Sequence, residues 1–156
     1  MILWPFLERL FARTQLLSDD QRFDDEPARA QGIALLSVLA RRDPEPPEPL
    51  LALAKLLCGA SPQAHLELER PLTDDQQIEC ERLLLAVLDY VPALGDITAD
   101  DLRATFLRRP AALAVRDGVW TLAVERRPQD LVLERFPWSW RWLKLPWMAE
   151  PLRVEW

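Results

Sequence analysis

The sequence predicts an α+β fold that is predominantly helical, with about five helices, a C-terminal β-hairpin and a tryptophan-rich segment. Three observations carry this prediction. Apolar residues recur at helical spacing through the first 109 residues. An Asp117-Gly118 pair then separates two runs in which apolar and polar residues alternate. Finally, five of the seven tryptophans fall within the last nineteen residues.

The composition indicates one folded domain, residues 1–156, with a helical part at 1–109 and a hairpin and tryptophan-rich part at 110–156. Of the 156 residues 49% are hydrophobic and 28% charged, too apolar a composition for a disordered chain. The net charge of −6 disfavours wrapping of nucleic acid, because phosphate contacts need a concentrated positive surface. There is no run of 18 apolar residues, so we expect no membrane insertion.

The first two helices are predicted from apolar spacing and from their starts. Leu3, Phe6, Leu7, Leu10 and Phe11 lie on one face of a short helix whose first turn accepts Pro5. Asp25 and Pro27 suit the cap and first turn of a second helix over 27–41. The apolar face of the second helix would carry Ala30, Ile33, Leu36 and Leu39 or Ala40.

A stiff connector separates the second helix from the third. Four prolines fall within the seven residues 43–49, which excludes a helix or a central strand there. The helical pattern resumes over 50–58 and ends at Gly59, a residue that tolerates the positive φ of a helix C-terminus.

Capping residues mark the starts of the fourth and fifth helices. Thr73 and Gln76 have the spacing of a capping box, and the stripe that follows, up to Pro92, is Ile78, Cys80, Leu84, Val87 and Val91. Thr98 caps the fifth helix, which Pro110 limits.

Strand periodicity takes over after Pro110. Leu113 and Val115 precede the Asp-Gly turn, and Trp120 begins the alternating run that follows, so we expect a hairpin. The stretch 129–135 suits one or two helical turns. Beyond it Trp138, Trp140 and Trp142 alternate with other residues, which predicts a strand with three indoles on one side.

No catalytic, metal or cofactor site is predicted. The single histidine, His65, lies in a polar stretch without a nucleophile motif, and we expect it at the surface. Cys58 and Cys80 are too few for a disulfide framework or a metal site and are expected to be small buried side chains of a protein that folds in a reducing cytosol. The acidic pairs 74–75 and 100–101 are explained by helix starts. We therefore predict a non-enzyme with no small-molecule substrate.

One alternative is a winged-helix-like DNA-binding protein. A helix followed by a hairpin spans 102–124, and Arg103, Arg108, Arg109 and Arg116 would give it local positive charge. The net charge and the acidic residues nearby disfavour this alternative, and the plainer interpretation is that these arginines lie on a solvated face.

The tryptophan-rich tail has two interpretations. Its aromatic side chains could fill the core of the domain. Tryptophan and arginine are also the residues most enriched at binding hot spots, which favours a surface that docks on another protein. The predicted protein-binding residues are Trp138, Trp140, Arg141, Trp142, Pro146, Trp147, Met148 and Trp156.

The same tail resembles a known family. The stretches 136–138, 143–148 and 154–156 together with Leu152, and the two Pro-Trp pairs among them, are similar to the C-terminal signature of contractile injection system tape measure proteins, which belong to phage-tail-like particles. The similarity runs through the whole chain in the same order, and the further stretches that carry it are 3–7, 43–49, 55–59 and 120–127.

The resemblance implies a structural assembly component that works with tail tube, sheath and baseplate proteins and is tape-measure-like in role. It implies synthesis in the cytoplasm and incorporation into a particle that can be released from the cell. A single helix of 156 residues would reach only about 234 Å and a compact domain only about 40 Å, so this chain cannot measure a long tube alone. We expect either the end module of a longer protein or a short homologue that docks at one end of the tube.

Overall fold

The computed structural model describes residues 1–67 and 70–156. Within these ranges five α-helices precede a four-stranded sheet. The helices are α1 (Trp4–Arg13), α2 (Glu26–Arg41), α3 (Ala52–Leu57), α4 (Asp74–Tyr90) and α5 (Ala99–Leu102), and the strands are β1 (Ala111–Arg116), β2 (Val119–Val124), β3 (Trp142–Leu143) and β4 (Leu152–Glu155). The predicted α+β, mostly helical class is confirmed.

The helix starts follow the predicted chemistry. The Asp25 carboxylate accepts a 2.6 Å hydrogen bond from the Ala28 amide at the start of α2. Thr73 and Gln76 form the expected capping box at the start of α4. Thr98 caps α5, which continues as one π-helical turn over Arg103–Leu107. Local hydrogen bonding therefore accounts for where these helices begin.

Burial along α2 and α4 differs in part from the predicted stripes. The helix α2 is buried around most of its circumference, because α3, α4 and the π-helical turn at Arg103–Leu107 pack against it, whereas Leu36 and Ala40 are only partly buried. In α4, Cys80, Leu84 and Val87 are buried as predicted, but Ile78 is half-exposed and Leu83 takes the place in the core. Residues five positions apart point about 140° apart around an α-helix, so Ile78 faces away from the side that α1 and α2 cover, whereas Leu83 lies on that covered side.

The hairpin forms as predicted. β1 and β2 are antiparallel with Arg116 opposite Val119, and Asp117 and Gly118 both have positive φ, as a two-residue type I′ turn requires. A 3₁₀ helix follows at Pro128–Arg135, where one or two helical turns were expected.

The predicted strand through Trp138, Trp140 and Trp142 is wrong. Residues 136–141 are irregular, and only Trp142 and Leu143 form a strand. The unexpected strand is β4, which runs parallel to β2 and antiparallel to β3, in the order β1-β2-β4-β3. The indoles are therefore not on one side of a strand, because the backbone turns between them.

One hydrophobic core joins the helices to the sheet. The inner face of the sheet carries Leu122, Leu143, Leu152 and Val154, which are buried together with residues of α1, α2 and α4. Cys58 and Cys80 are fully buried free thiols, as expected. Burial raises the pKa of Cys80 to about 12 and raises that of Cys58 as well. Among the described helices, none is both long and apolar enough to cross a bilayer.

Candidate protein-docking site

The C-terminal segment, residues 136–156, contains all eight predicted binding residues and wraps along the helical part before it enters the sheet. Trp138 is half-buried, and its indole N–H donates a 3.0 Å hydrogen bond to the carbonyl of Ile2. Its ring meets Phe6 edge to face at 5.3 Å and stacks near Tyr90 at 6.0 Å. This tryptophan therefore attaches the segment to α1 and α4.

Trp140 is held by the 3₁₀ helix and by the end of the chain. Its indole N–H donates to the carbonyl of Leu133 at 3.0 Å, and its ring meets Trp156 edge to face at 6.1 Å. The Arg141 guanidinium lies over the Trp140 ring at 5.4 Å, while the rest of Arg141 is exposed. Trp156 is buried, so Trp140 closes one side of the core.

Trp147 docks on α3. Its indole N–H donates a 2.7 Å hydrogen bond to the carbonyl of Leu57, and its ring contacts Phe11 and Phe23 at 5.4 Å each. Met148 is buried beside it. Pro146 is exposed and lines a shallow surface depression with Trp4, Pro5, Glu8, Lys144 and Leu145.

Trp142 is different, because it points away from the core. Its neighbour Leu143 is buried on the inner face of the sheet, so strand alternation places Trp142 on the outer face, opposite Arg153 of β4. Half of the Trp142 surface is exposed, and it is the most exposed of the seven tryptophans, all of which lie in the described residues.

The structure thus divides the predicted binding set into three groups. Trp142, Arg141 and Pro146 are exposed. Trp138, Trp140 and Trp147 are half-buried and use their N–H groups on the chain's own carbonyls. Met148 and Trp156 are core residues. The role of these residues in binding stays a prediction. Which of them are exposed could not be predicted from the sequence, because all five tryptophans lie within one short segment of similar composition.

The arginines that motivated the DNA-binding alternative are not a positive face. Arg103 is 1% exposed, donates to the carbonyl of Leu39 and pairs with Glu81 and Asp100, so the expectation of a solvated arginine is wrong for it. Arg116 pairs with Glu155. Arg103, Arg109 and Arg116 each pair with a carboxylate. Of the four arginines only Arg108 is exposed without an ion-pair partner among the described residues, and one such charge is not the concentrated positive surface that phosphate binding requires.

Arg109 is also buried and is the centre of a network of polar contacts. Its guanidinium makes two hydrogen bonds to the Asp130 carboxylate at 2.7 and 3.0 Å, and the two side chains are 3% and 11% exposed. It also donates to the carbonyls of Thr105 and Glu125 and lies 5.1 Å from the centre of the Trp156 ring. Arg109 therefore joins four segments of the chain.

This network makes stability depend on pH. Burial by itself would raise the pKa of Asp130, but hydrogen bonds from Arg109 and from the Arg127 amide, together with the charges of both arginines, outweigh burial and hold the pKa below its ordinary 3.8. A depressed pKa stabilises the fold above the ordinary value, and this stabilisation disappears as the pH falls below 3.8.

We expect the difference in unfolding free energy between wild type and Asp130→Asn to be constant above about pH 5 and to shrink below that. Urea unfolding at several pH values measures it, and a difference that is the same at every pH would contradict the assignment.

The other candidate chemical groups lie where the sequence suggested. His65 is exposed, and its nearest charged neighbour is Glu67 at 3.7 Å. Asp74 and Asp75 lie in the first turn of α4, and Asp100 and Asp101 lie in that of α5. Over residues 1–67 and 70–156, no three His, Cys, Asp or Glu side chains come together as a metal site.

Comparison with known proteins identifies a family. The model of the family described as contractile injection system tape measure protein matches residues 1–156, which is the whole chain. No curated protein and no solved structure matches it.

Proposed function

Because the chain belongs to the contractile injection system tape measure protein family, we propose that it is a structural module that docks on a tail-tube or baseplate protein. The family is one of structural proteins, and membership gives the chain a structural role in an injection system and contact with other proteins of the particle. The proposal adds the surface of contact, which is the exposed part of the C-terminal segment.

Size favours docking over measuring for this domain. The longest helix in the described ranges is α4 with 17 residues, which is about 25 Å of rise. The other elements fold back onto the same core as α4. A domain built this way presents surfaces to neighbours and does not extend along a tube.

The observation that carries the proposal is the orientation of Trp142. Exposing half of an indole forgoes apolar burial, and the chain has buried or half-buried its other tryptophans. Arg141 is exposed next to it in sequence and Arg153 lies opposite it in the ladder. An exposed tryptophan with flanking arginines has the composition of a hot spot in protein interfaces.

The expected result is that Trp142→Ala weakens binding to a tube or baseplate protein at least tenfold, because truncation of a hot-spot tryptophan removes a large share of the binding energy. The measurement is biolayer interferometry between the immobilised chain and each purified tube and baseplate protein encoded with it. The thermal midpoint of Trp142→Ala should stay at the wild-type value, since the ring supports little of the core.

Two further variants separate binding from folding. Leu131→Ala removes an apolar side chain that is even more exposed than Trp142, from the 3₁₀ helix, and should bind like the wild type. Trp140→Ala should lower the thermal midpoint, because it removes the contacts to Leu133 and Trp156. The proposal fails if no tube or baseplate protein binds, or if one binds Trp142→Ala as tightly as the wild type.

A further inference from the structure

The strand β1 is an unprotected edge of the sheet. It has six residues, most of them exposed, and its first five are Ala111, Ala112, Leu113, Ala114 and Val115, with no charge or proline among them. The opposite edge, β3, has only two residues. Monomeric proteins usually shorten an edge strand or give it charges or prolines, because its free backbone groups pair with other strands.

The backbone groups available on β1 are those of its odd-numbered residues. In an antiparallel pair, alternate residues exchange hydrogen bonds with the partner strand. Arg116 and Val119 flank the two-residue turn and therefore form its hydrogen-bonded pair, and Glu125 donates to the carbonyl of Pro110 at 3.0 Å. The even-numbered residues of β1 are therefore the ones that bond to β2. Ala111, Leu113 and Val115 therefore direct their amide and carbonyl groups away from the sheet.

The inner side of this edge is also apolar and uncovered. A cavity of about 420 Å³ lies between β1 and the ends of α1, α2 and α3, and its lining includes Leu53, Leu107 and Leu113. Leu50, at its rim, is 46% exposed, and Val115 is 56% exposed. A strand added to β1 would cover these side chains as well as the free backbone groups.

We propose that a second copy of the chain supplies this strand, through antiparallel pairing of β1 with β1 about a two-fold axis at Leu113. In this register Leu113 lies opposite Leu113 of the second copy, and Ala111 lies opposite Val115 at both ends. All three free residues of each strand then bond across the axis, and the two sheets become one sheet of eight strands.

Charge complementarity at the ends of β1 favours a second copy over a foreign strand. In the proposed register Asp117 lies opposite Arg109 of the second copy, with Arg108 next to it. Arg109 is already engaged by Asp130. Arg108 and Asp117 are exposed, and neither has an ion-pair partner among the described residues. Self-pairing brings Arg108 of each copy within reach of Asp117 of the other copy, so one ion pair can form at each end of the interface.

The first test is the mass of the purified full chain in solution, measured by sedimentation equilibrium over roughly a hundredfold range of concentration. We expect twice the chain mass at the high end and dissociation on dilution. Val115→Pro removes one of the outward amides and should give a monomer, whereas Val115→Thr keeps the amide and should dimerise. Circular dichroism should show that both variants keep the wild-type helical signal.

A double-mutant cycle tests the register. Arg108→Gln or Asp117→Asn should each raise the dimer Kd about tenfold, because each breaks two symmetric ion pairs, and the double variant should be no weaker than either single one. Asparagine tolerates the positive φ at position 117. The controls Arg135→Gln and Asp96→Asn make the same charge changes elsewhere on the surface and should leave Kd unchanged. A monomer at every concentration overturns the proposal, as does a dimer that Val115→Pro leaves intact or a purely additive cycle.

Discussion

Arg109→Ala is expected to lower the free energy of unfolding by about 3 to 5 kcal/mol, the cost of removing one partner from a buried ion pair. The variant leaves the Asp130 carboxylate, 11% exposed, with only the Arg127 amide as a described hydrogen-bond donor. It also leaves the carbonyl of Thr105 without its guanidinium donor and removes the cation next to the Trp156 ring. Guanidinium chloride unfolding followed by tryptophan fluorescence measures the loss.

Most of this loss of unfolding free energy should come from leaving the Asp130 carboxylate without its ion-pair partner, and little from the missing volume of the Arg109 side chain. Arg109→Met with Asp130→Leu removes both charges while keeping the space filled, and it should recover much of the stability, because an apolar pair can replace a buried ion pair at little cost. Arg135→Ala, at an exposed arginine without a described ion pair, should change the unfolding free energy by less than about 0.5 kcal/mol. If the double replacement is as unstable as Arg109→Ala, the network stabilises the fold through the packing of its side chains and not through the pairing of their charges.

Local chemistry made much of the fold predictable. The capping boxes at Thr73 and Thr98 and the aspartate cap at Asp25 each depend on residues within three positions of one another, so the sequence alone specifies them. The type I′ turn at Asp117-Gly118 is of the same kind. Each of these signals placed an element start or a turn within a residue or two.

Long-range pairing explains the errors. The strand β4 forms because its backbone pairs with β2, about thirty residues earlier in the chain, and with β3. Nothing in the tail itself indicates a parallel neighbour. Conversely, the alternation of Trp138, Trp140 and Trp142 looked like a strand, but the first two indoles donate to carbonyls of the N-terminal segment and the 3₁₀ helix. Those bonds fix a bent backbone that periodicity cannot reveal.

The candidate site was predictable as a region but not as a surface. Composition identified residues 138–156 as unusual, and all eight predicted residues lie in the segment that wraps the domain. Which of them face outward depends on tertiary partners: Leu143 enters the core, so Trp142 faces out, while Leu57 accepts from Trp147 and draws it in. Exposure is set by the whole fold, whereas composition is read from the segment alone.

Gly59→Ala is expected to lower the free energy of unfolding by about 3 kcal/mol, through two effects that act at the same residue. Gly59 has φ of +73°, a conformation that costs an L-residue roughly 1 to 2 kcal/mol. A methyl group there would also lie 2.7 Å from the carbonyl oxygen of Trp147, a backbone atom that cannot rotate away. The clash would push Trp147 off Leu57, Phe11 and Phe23 and detach the C-terminal segment from α3.

A second glycine separates strain from contact. Gly118 has φ of +78°, but no atom lies within 4 Å of the place its methyl group would take. Gly118→Ala therefore keeps the backbone strain and lacks the clash, and it should cost only about 1 to 2 kcal/mol. The difference between the two losses of unfolding free energy measures how tightly the C-terminal segment is held on α3. It should also lower the thermal midpoint of Gly59→Ala by a further few degrees, at roughly 2 to 4 °C per kcal/mol for a chain of this size. Equal losses in the two variants would show that the contact between Trp147 and the third helix contributes nothing to stability, and that the segment reaches its place through the sheet alone.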